Sequence, residues 1–427
     1  MAYKRKTIYV YENWSGEQPV FLGTLYADQT RGTEYFSFEY DEGYLKKERA
    51  LTAIDPDLML LLGRQYVTGK PNFGVFSDSA PDRWGRTLMD RKERFRARSA
   101  GEKPRRLAES DYLLGLCDKT RMGALRFSAV KGGPFLSDDE AQAVPPWTSL
   151  RSLEEASRQF EKDENALDDQ WLNQLLQPGS SLGGARPKAS VQDVDGSLWI
   201  AKFPSRHDEF NIGAWEKTVH ELAARCGLNV PPSRAETFSK GGSTFLVKRF
   251  DRDGERRIHF SSAMTMLGKT DGAASADGSG YYEIADFLRS GGSSPKDDLI
   301  ELWKRIVFNM AVSNTDDHLR NHGFLLGRRG WRLSPAYDIN PVPYGDTLSL
   351  NVSPTDNSID IDLAIETCDY YGLNRAEAEL LAGRICQTVR ESWEAVAVRY
   401  GIGRREIQQM RPAFLASEWK RTEASPR

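Results

Sequence analysis

The chain has 427 residues, of which 39% are hydrophobic, 11% aromatic and 28% charged, with a formal net charge of -3 at pH 7. This composition excludes wholesale disorder and fits a large core divided over two or three domains. The near-neutral balance excludes a surface that binds polyanions throughout, and no apolar run reaches the roughly 18 residues of a membrane-crossing helix.

The start, MAYKRKTIYVYENW, lacks the apolar stretch and small-residue cleavage site of a secretory signal, so the expected location is the cytoplasm, with no membrane partner. Cys117, Cys226, Cys368 and Cys386 are widely spaced in apolar contexts and form no ligand pattern, as expected of buried thiols in a reducing compartment.

The first fifty residues alternate aromatic and polar positions, in TIYVYENW, PVFLGTLY and YFSFEYDEGY, which predicts a small antiparallel sheet. Helical spacing follows in LMLLLGRQYV, DRWGRTLMDRKERFRA and DYLLGLC. Within 91–106, RKERFRARSAGEKPRR sets eight Lys or Arg against two Glu. That run is a nucleic-acid or acidic-partner patch if it lies on one face, and otherwise a solvated helix end and loop.

KGGPFLSDDEAQAVPPW at 131–147 reads as a linker, SLRSLEEASRQF as a capped helix and NALDDQWLNQLL as a second one. QPGSSLGGARPKAS then breaks helix, and VQDVDGSLWIAKF reads as a strand, an Asp-Gly turn and a strand. A helix from about Gly213 to Cys226 and a strand in STFLVKRFDR come next. Leu299, Trp303, Ile306 and Met310 mark a buried helix that stops at NTDDHLRN. GFLLGRRGWRLSPAYD reads as a hairpin that delivers Asp338 to its far end, and two more helices fill 374–400 and 404–417.

Phosphoryl transfer from ATP needs Mg2+ held on the phosphates, a cation on the same phosphates and a carboxylate that orients or deprotonates the acceptor. Protein kinases space the base Asp and the metal-binding Asn five residues apart on one loop, as Asp316 and Asn321 are spaced here. Asp317 is a second-rank alternative for the base, and Asp338, in YDIN rather than DFG, stands where a kinase would place its second metal ligand. Lys202 in WIAKF matches the strand lysine of a small lobe, and Glu216 on the following helix is its expected partner, since a buried Lys is costly unpaired. The turn SSLGGARPK, with Ser181, Gly183, Gly184 and Lys188, is placed over the phosphates. Each feature has a plain alternative: Asp and Asn are turn formers and caps, Lys202 and Glu216 solvated residues, the glycines a loop. The order of the set carries the kinase reading. A metallohydrolase would instead use His318 and His322, four apart, with Asp316, Asp317 and Asp338. HLRNH lacks the Glu of HExxH, and His207, His220 and His259 form no ligand-spaced pair, so His318 is read as a loop-shaping residue that hydrogen-bonds backbone carbonyls and is grouped with the nucleotide-binding residues.

The ordered set resembles the HipA-like serine/threonine kinases, toxins of HipBA-type bacterial toxin-antitoxin pairs. FGVFSDSAPDRWGRTLMDR, DYLLGLCDKTRMGALRF, SSLGGARPK, WIAKFPS, VKRFDR and NTDDHLRNHGFLL carry the resemblance, in the family's order and over most of the chain. It implies an α+β, two-lobed protein-kinase-like fold: an N-terminal HipA-type subdomain at 1–130, the linker at 131–147, a small lobe with the Gly-rich loop at 148–255, a helical large lobe at 256–417 and a polar tail at 418–427. By matching position Asp316 is the base, Asn321 and Asp338 are Mg2+ ligands, Lys202 contacts ATP phosphate, and Lys248 and Phe250 lie at the adenine hinge. Ser181 matches the autophosphorylation site, whose modification ejects the loop and silences the kinase; Ser180 is the adjacent alternative. Arg320 stands where many relatives carry Lys, and Lys248 where some carry an acid. The resemblance further implies a HipB-like helix-turn-helix antitoxin as partner, an aminoacyl-tRNA synthetase as substrate, and DNA reached only through the antitoxin complex. A small-molecule kinase of the same fold and a non-catalytic scaffold or co-repressor remain the other readings.

Overall fold

The computed structural model describes residues 4–46, 52–136, 144–162, 175 and 184–420. They form two compact units: Met1–His207 with Leu246–Thr270 and Leu325–Arg329, and Asp208–Phe245 with Asp271–Phe324 and Gly330–Arg427.

The first unit opens on the predicted sheet. Strands β1 (Lys4–Glu12), β2 (Val20–Thr30), β3 (Thr33–Tyr40), β4 (Arg64–Tyr66) and β5 (Leu125–Ser128) are ordered β4-β3-β2-β1-β5. Ile8, Leu25, Phe38 and Gln65 are opposite one another across four antiparallel strands, and all four are buried, so the period-2 pattern reports one covered face. Phe76 closes that face, its ring 5.4 Å from Phe38 and 6.1 Å from Phe127.

LMLLLGRQYV, predicted helical, is not a helix: the segment bends through 60–63 and enters β4. Of its apolar residues Leu58 is buried while Met59, Leu61 and Leu62 are exposed. The Gln65 side chain bonds both the amide and the carbonyl of Met59 at 2.8 Å, and Gly63 takes φ +98°. Local bonding and a left-handed glycine thus override a helical spacing that had no second face to cover.

Helix α1 (Arg83–Ser99) is capped by Asp82, whose carboxylate accepts from the Gly85 amide at 2.8 Å and from Lys188 Nζ at 2.9 Å. Trp84 on α1 donates to the Lys188 carbonyl at 3.0 Å and meets Phe160 of α2 (Leu150–Lys162) edge-on. Within the basic run, Arg96 pairs with Glu93 and Glu102, and Arg105 with Glu93 and Asp111. Strands β6 (Lys188–Gln192) and β7 (Leu198–Lys202) form the expected hairpin, with Lys188 opposite Lys202.

The VKRFDR stretch is anchored in the same unit by charge. Asp251 is fully buried and accepts from Arg249, Arg252 and the Gly123 amide. Burial pushes its carboxyl up, but the Arg249 and Arg252 guanidiniums hold it at about 2. The predicted helix in NALDDQWLNQLL lies outside the described residues apart from Leu175, as does 137–143 of the predicted linker.

In the second unit Asn211 caps α3 (Ile212–Arg225), and Gly227 at φ +72° ends it. Strand Ser233–Ser239 follows. Helices α4 (Tyr281–Gly291), α5 (Pro295–Ala311) and α6 (Arg375–Arg399) make the helical body. Leu299, Leu302, Trp303, Ile306 and Met310 of α5 are buried, and Trp393 of α6 stacks on Phe414 at 4.3 Å. Among the described residues no helix is long and apolar enough to cross a membrane.

Candidate phosphotransfer site

The NTDDHLRN segment leaves the C-terminus of α5 through Ser313, whose φ of +49° turns the chain out of the helix. A non-glycine residue adopts that conformation only where its surroundings hold it. Here the Val342 amide bonds the Ser313 carbonyl at 3.0 Å, and the Asn314 amide bonds the Asn309 carbonyl at 2.8 Å.

The two aspartates of the motif face opposite ways. Asp316 is exposed, and its carboxylate takes no hydrogen bond from the described residues. Asp317 is buried, and one of its oxygens accepts from Tyr281 Oη at 2.6 Å, Asn309 Nδ2 at 2.7 Å and His322 Nε2 at 2.8 Å. Burial pushes the Asp317 carboxyl up, but His322 beside it and the donors around it hold it below the usual range. The Asp316 carboxyl is raised instead: partial desolvation of its carboxyl end leads, although the residue as a whole is exposed, His318 opposes it, and the carboxylates of Asp338 and Asp317 add to it. Asp316 is therefore the outward-facing carboxylate of the pair, while Asp317 is committed to the interior.

Asn321 closes the loop. Its amide Nδ2 donates to the Asp316 carbonyl at 2.9 Å, which leaves Oδ1 as an acceptor pointing elsewhere. The predicted hairpin follows as Gly323–Gly327 and Gly330–Leu333, and Asp338 comes after it at φ +58°. Tyr337 Oη donates to the Arg320 carbonyl at 2.8 Å, and the Asn340 amide donates to Asn314 Oδ1 at 3.2 Å, so both flanks of Asp338 are tied to the Asp316 loop. Arg320 forms an ion pair with Asp271 at 3.2 Å. The amide of His318 bonds the Asp316 carbonyl at 3.1 Å, while its ring Nδ1 is buried with no partner among the described residues.

The other predicted residues are distributed over the two units. Glu216 is buried on α3 of the second; Lys202 is buried at the end of β7 in the first. Lys188, predicted to contact phosphate, is committed to a buried ion pair with Asp82 and a bond to the Gly184 carbonyl at 3.1 Å. Lys248 is 3.9 Å from Asp195, and Phe250 lies 6.1 Å from Phe260. Gly184 is exposed; Ser180, Ser181 and Gly183 lie outside the described residues. Among the described residues no group of three or more His, Cys, Asp or Glu is arranged to hold a metal, and His322 Nε2 is bonded to Asp317.

Tyr281, Asn309, Asn314 and Asn340 were given no role from the sequence. One signal was available: Asn309 is a polar residue on the buried face of a helix between Ile306 and Met310, where an unpaired amide is costly.

The fold is α+β and kinase-like, of the HipA type. It superposes with a TM-score of 0.66, over 96% of either chain at 19% identity, on a chain of the Shewanella oneidensis MR-1 toxin-antitoxin complex of HipA, HipB and operator DNA. Residues 180–393 match the family described as HipA-like C-terminal domain, and the chain belongs to that family. Two relatives come from Sinorhizobium fredii. "Putative kinase Y4dM" is 26% identical over 376 residues, 84% of either chain. "Putative kinase Y4mE" is 32% identical over 190 residues, 39% of this chain and 43% of that protein, so the chain matches less than half of its length.

Proposed function

We propose that this chain is an ATP- and Mg2+-dependent serine/threonine protein kinase, with Asp316 as the base that orients and deprotonates the acceptor hydroxyl. The observation that carries the reading is the division of labour in NTDDHLRN: Asp316 exposed and uncommitted, Asn321 bonded to its carbonyl, and Asp338 near enough to raise its pKa. Asn321 Oδ1 and the Asp338 carboxylate are hard oxygen donors of the type Mg2+ takes, and fit a metal that is otherwise held by nucleotide phosphates and water. Bound MgATP supplies the transferable phosphoryl group with its charge partly neutralised. Lys202 is assigned to the phosphates and Glu216 to Lys202; Lys248 and Phe250 are assigned to the adenine hinge, and Gly183 and Gly184 to the loop over the phosphates. Lys188 is left to its ion pair.

The finer reading is a growth-arresting toxin held by a HipB-like antitoxin, acting on an aminoacyl-tRNA synthetase and silenced by autophosphorylation at Ser181. Its support is the family resemblance. A phosphoserine would bring nearly two negative charges beside the ATP phosphates, which favours an ejected loop. Phosphoproteomics of a bacterial lysate treated with the protein and ATP tests it. Phosphoserine or phosphothreonine on a synthetase supports the full reading, and label confined to small metabolites would replace it with a small-molecule kinase.

A further inference from the structure

Two residues before Asp316 stands a buried amide that bonds the segment two residues after Asp338. Asn314 is 1% exposed, and both ends of its side chain are used. Nδ2 donates to Asn309 Oδ1 at 3.1 Å, and Oδ1 accepts the Asn340 amide at 3.2 Å. Asn309 in turn donates to Asp317 at 2.7 Å. A continuous polar relay therefore runs Asp317, Asn309, Asn314, Asn340, beginning one residue after Asp316 and ending two residues after Asp338. The residues bracketing it, Ser313 and Asp338, both hold positive φ without being glycine.

We propose that Asn314 is a positioning residue that sets where the Asp338 carboxylate stands relative to Asp316 and Asn321, and so tunes the Mg2+ response of nucleotide binding. A buried Asn serving only as a helix-end cap needs its bond to Asn309. The second bond, to a main-chain amide of the Asp338 segment, does nothing for α5. It gives the strained Asp338 backbone a fixed counterpart, so that the cost of the left-handed conformation does not relax by moving the carboxylate. Groups that orient a metal ligand without touching the metal typically change metal affinity by about 10- to 100-fold when removed. The inference rests on the kinase reading above.

The test compares the wild-type protein with Asn314→Ala, Asn314→Ser and Asn314→Asp. The aspartate keeps an oxygen for the Asn340 amide, whereas alanine and serine cannot span to it. Two readouts are taken: Mg2+ titration of ATP binding by calorimetry, and hydrogen exchange of the Asn340 amide without nucleotide. Asn314→Ala is expected to raise the Mg2+ needed for half-saturation by roughly 10-fold and to unprotect the Asn340 amide. Asn314→Asp is expected to keep protection of the Asn340 amide on the second readout, while the lost donor to Asn309 Oδ1 and the added buried carboxylate shift its Mg2+ response on the first. Serine is the measured variant if alanine does not fold. Wild-type Mg2+ dependence in a folded alanine or serine variant overturns the relay alone. Wild-type protein that binds no MgATP overturns the relay and the kinase reading together.

Discussion

Asn321 donates its side-chain amide to the main-chain carbonyl of Asp316 at 2.9 Å, so the proposed metal ligand and the proposed base share one closed turn of chain. The bond fixes which end of the Asn321 amide is left for a cation. Asn321→Ala should therefore lose the ligand and loosen the turn, cutting Mg2+-dependent turnover by at least about 10²-fold with little change in melting temperature. Parallel kinetics and thermal melts check both halves.

Gly345 lies directly against the residue before Asp316. A Cβ built there would stand 2.3 Å from Thr315 Cγ2, so Gly345→Ala must displace Thr315 or its own segment. Overpacking of this kind costs about 1–3 kcal/mol and should lower turnover by moving Asp316. The double variant Gly345→Ala with Thr315→Ala should recover much of the loss, which steady-state kinetics of the two variants would show.

The VKRFDR anchor gives a stability prediction. Asp251→Asn leaves Arg249 and Arg252 buried without their counter-ion. Breaking a buried pair from one side costs about 3–5 kcal/mol, to be read as a lower urea midpoint at pH 7. A change below about 1 kcal/mol would mean that the carbonyls around Arg249 and Arg252 carry the network without Asp251.

His259 supplies a pH dependence. It is buried against Trp14, the rings stacked at 4.5 Å, and burial pushes its pKa down to about 3. The folded protein keeps the ring neutral while the unfolded chain protonates near 6.5. Its contribution to stability is thus complete above the unfolded value and is lost as pH falls from there toward about 3. Between pH 7 and 5.5 the loss is about 1.3 kcal/mol from this group, and melts of His259→Gln should lack it.

Legibility from sequence followed how local each feature is. The alternating β1 to β3 strands and the α5 spacing stand where their periodicity puts them, although burial reaches both faces of β3 at Phe36, Ser37 and Phe38 and all sides of α5 from Arg305 to Ala311. LMLLLGRQYV failed because its apolar residues cover no common face and Gly63 takes a left-handed turn. At the site, residue type and spacing propose Asp316 and Asn321 but do not say which aspartate faces inward. Which aspartate is buried depends on Tyr281 and Asn309, which arrive from other helices and leave no trace in an eight-residue motif. Lys188 shows the same limit from the other side: its partner Asp82 lies far away in the chain, where only folding brings it to the hairpin.

The central claim is tested most directly by incubating the purified, initially unphosphorylated protein with Mg2+ and γ-labelled ATP beside Asp316→Asn, and locating the label by mass spectrometry. The account predicts phosphate on a serine of the SSLGGARPK loop, at Ser181, falling by roughly 10²- to 10⁴-fold in rate in a variant that remains folded. Equal labelling by the two proteins, or a wild-type protein that neither binds ATP nor takes up label, would contradict it.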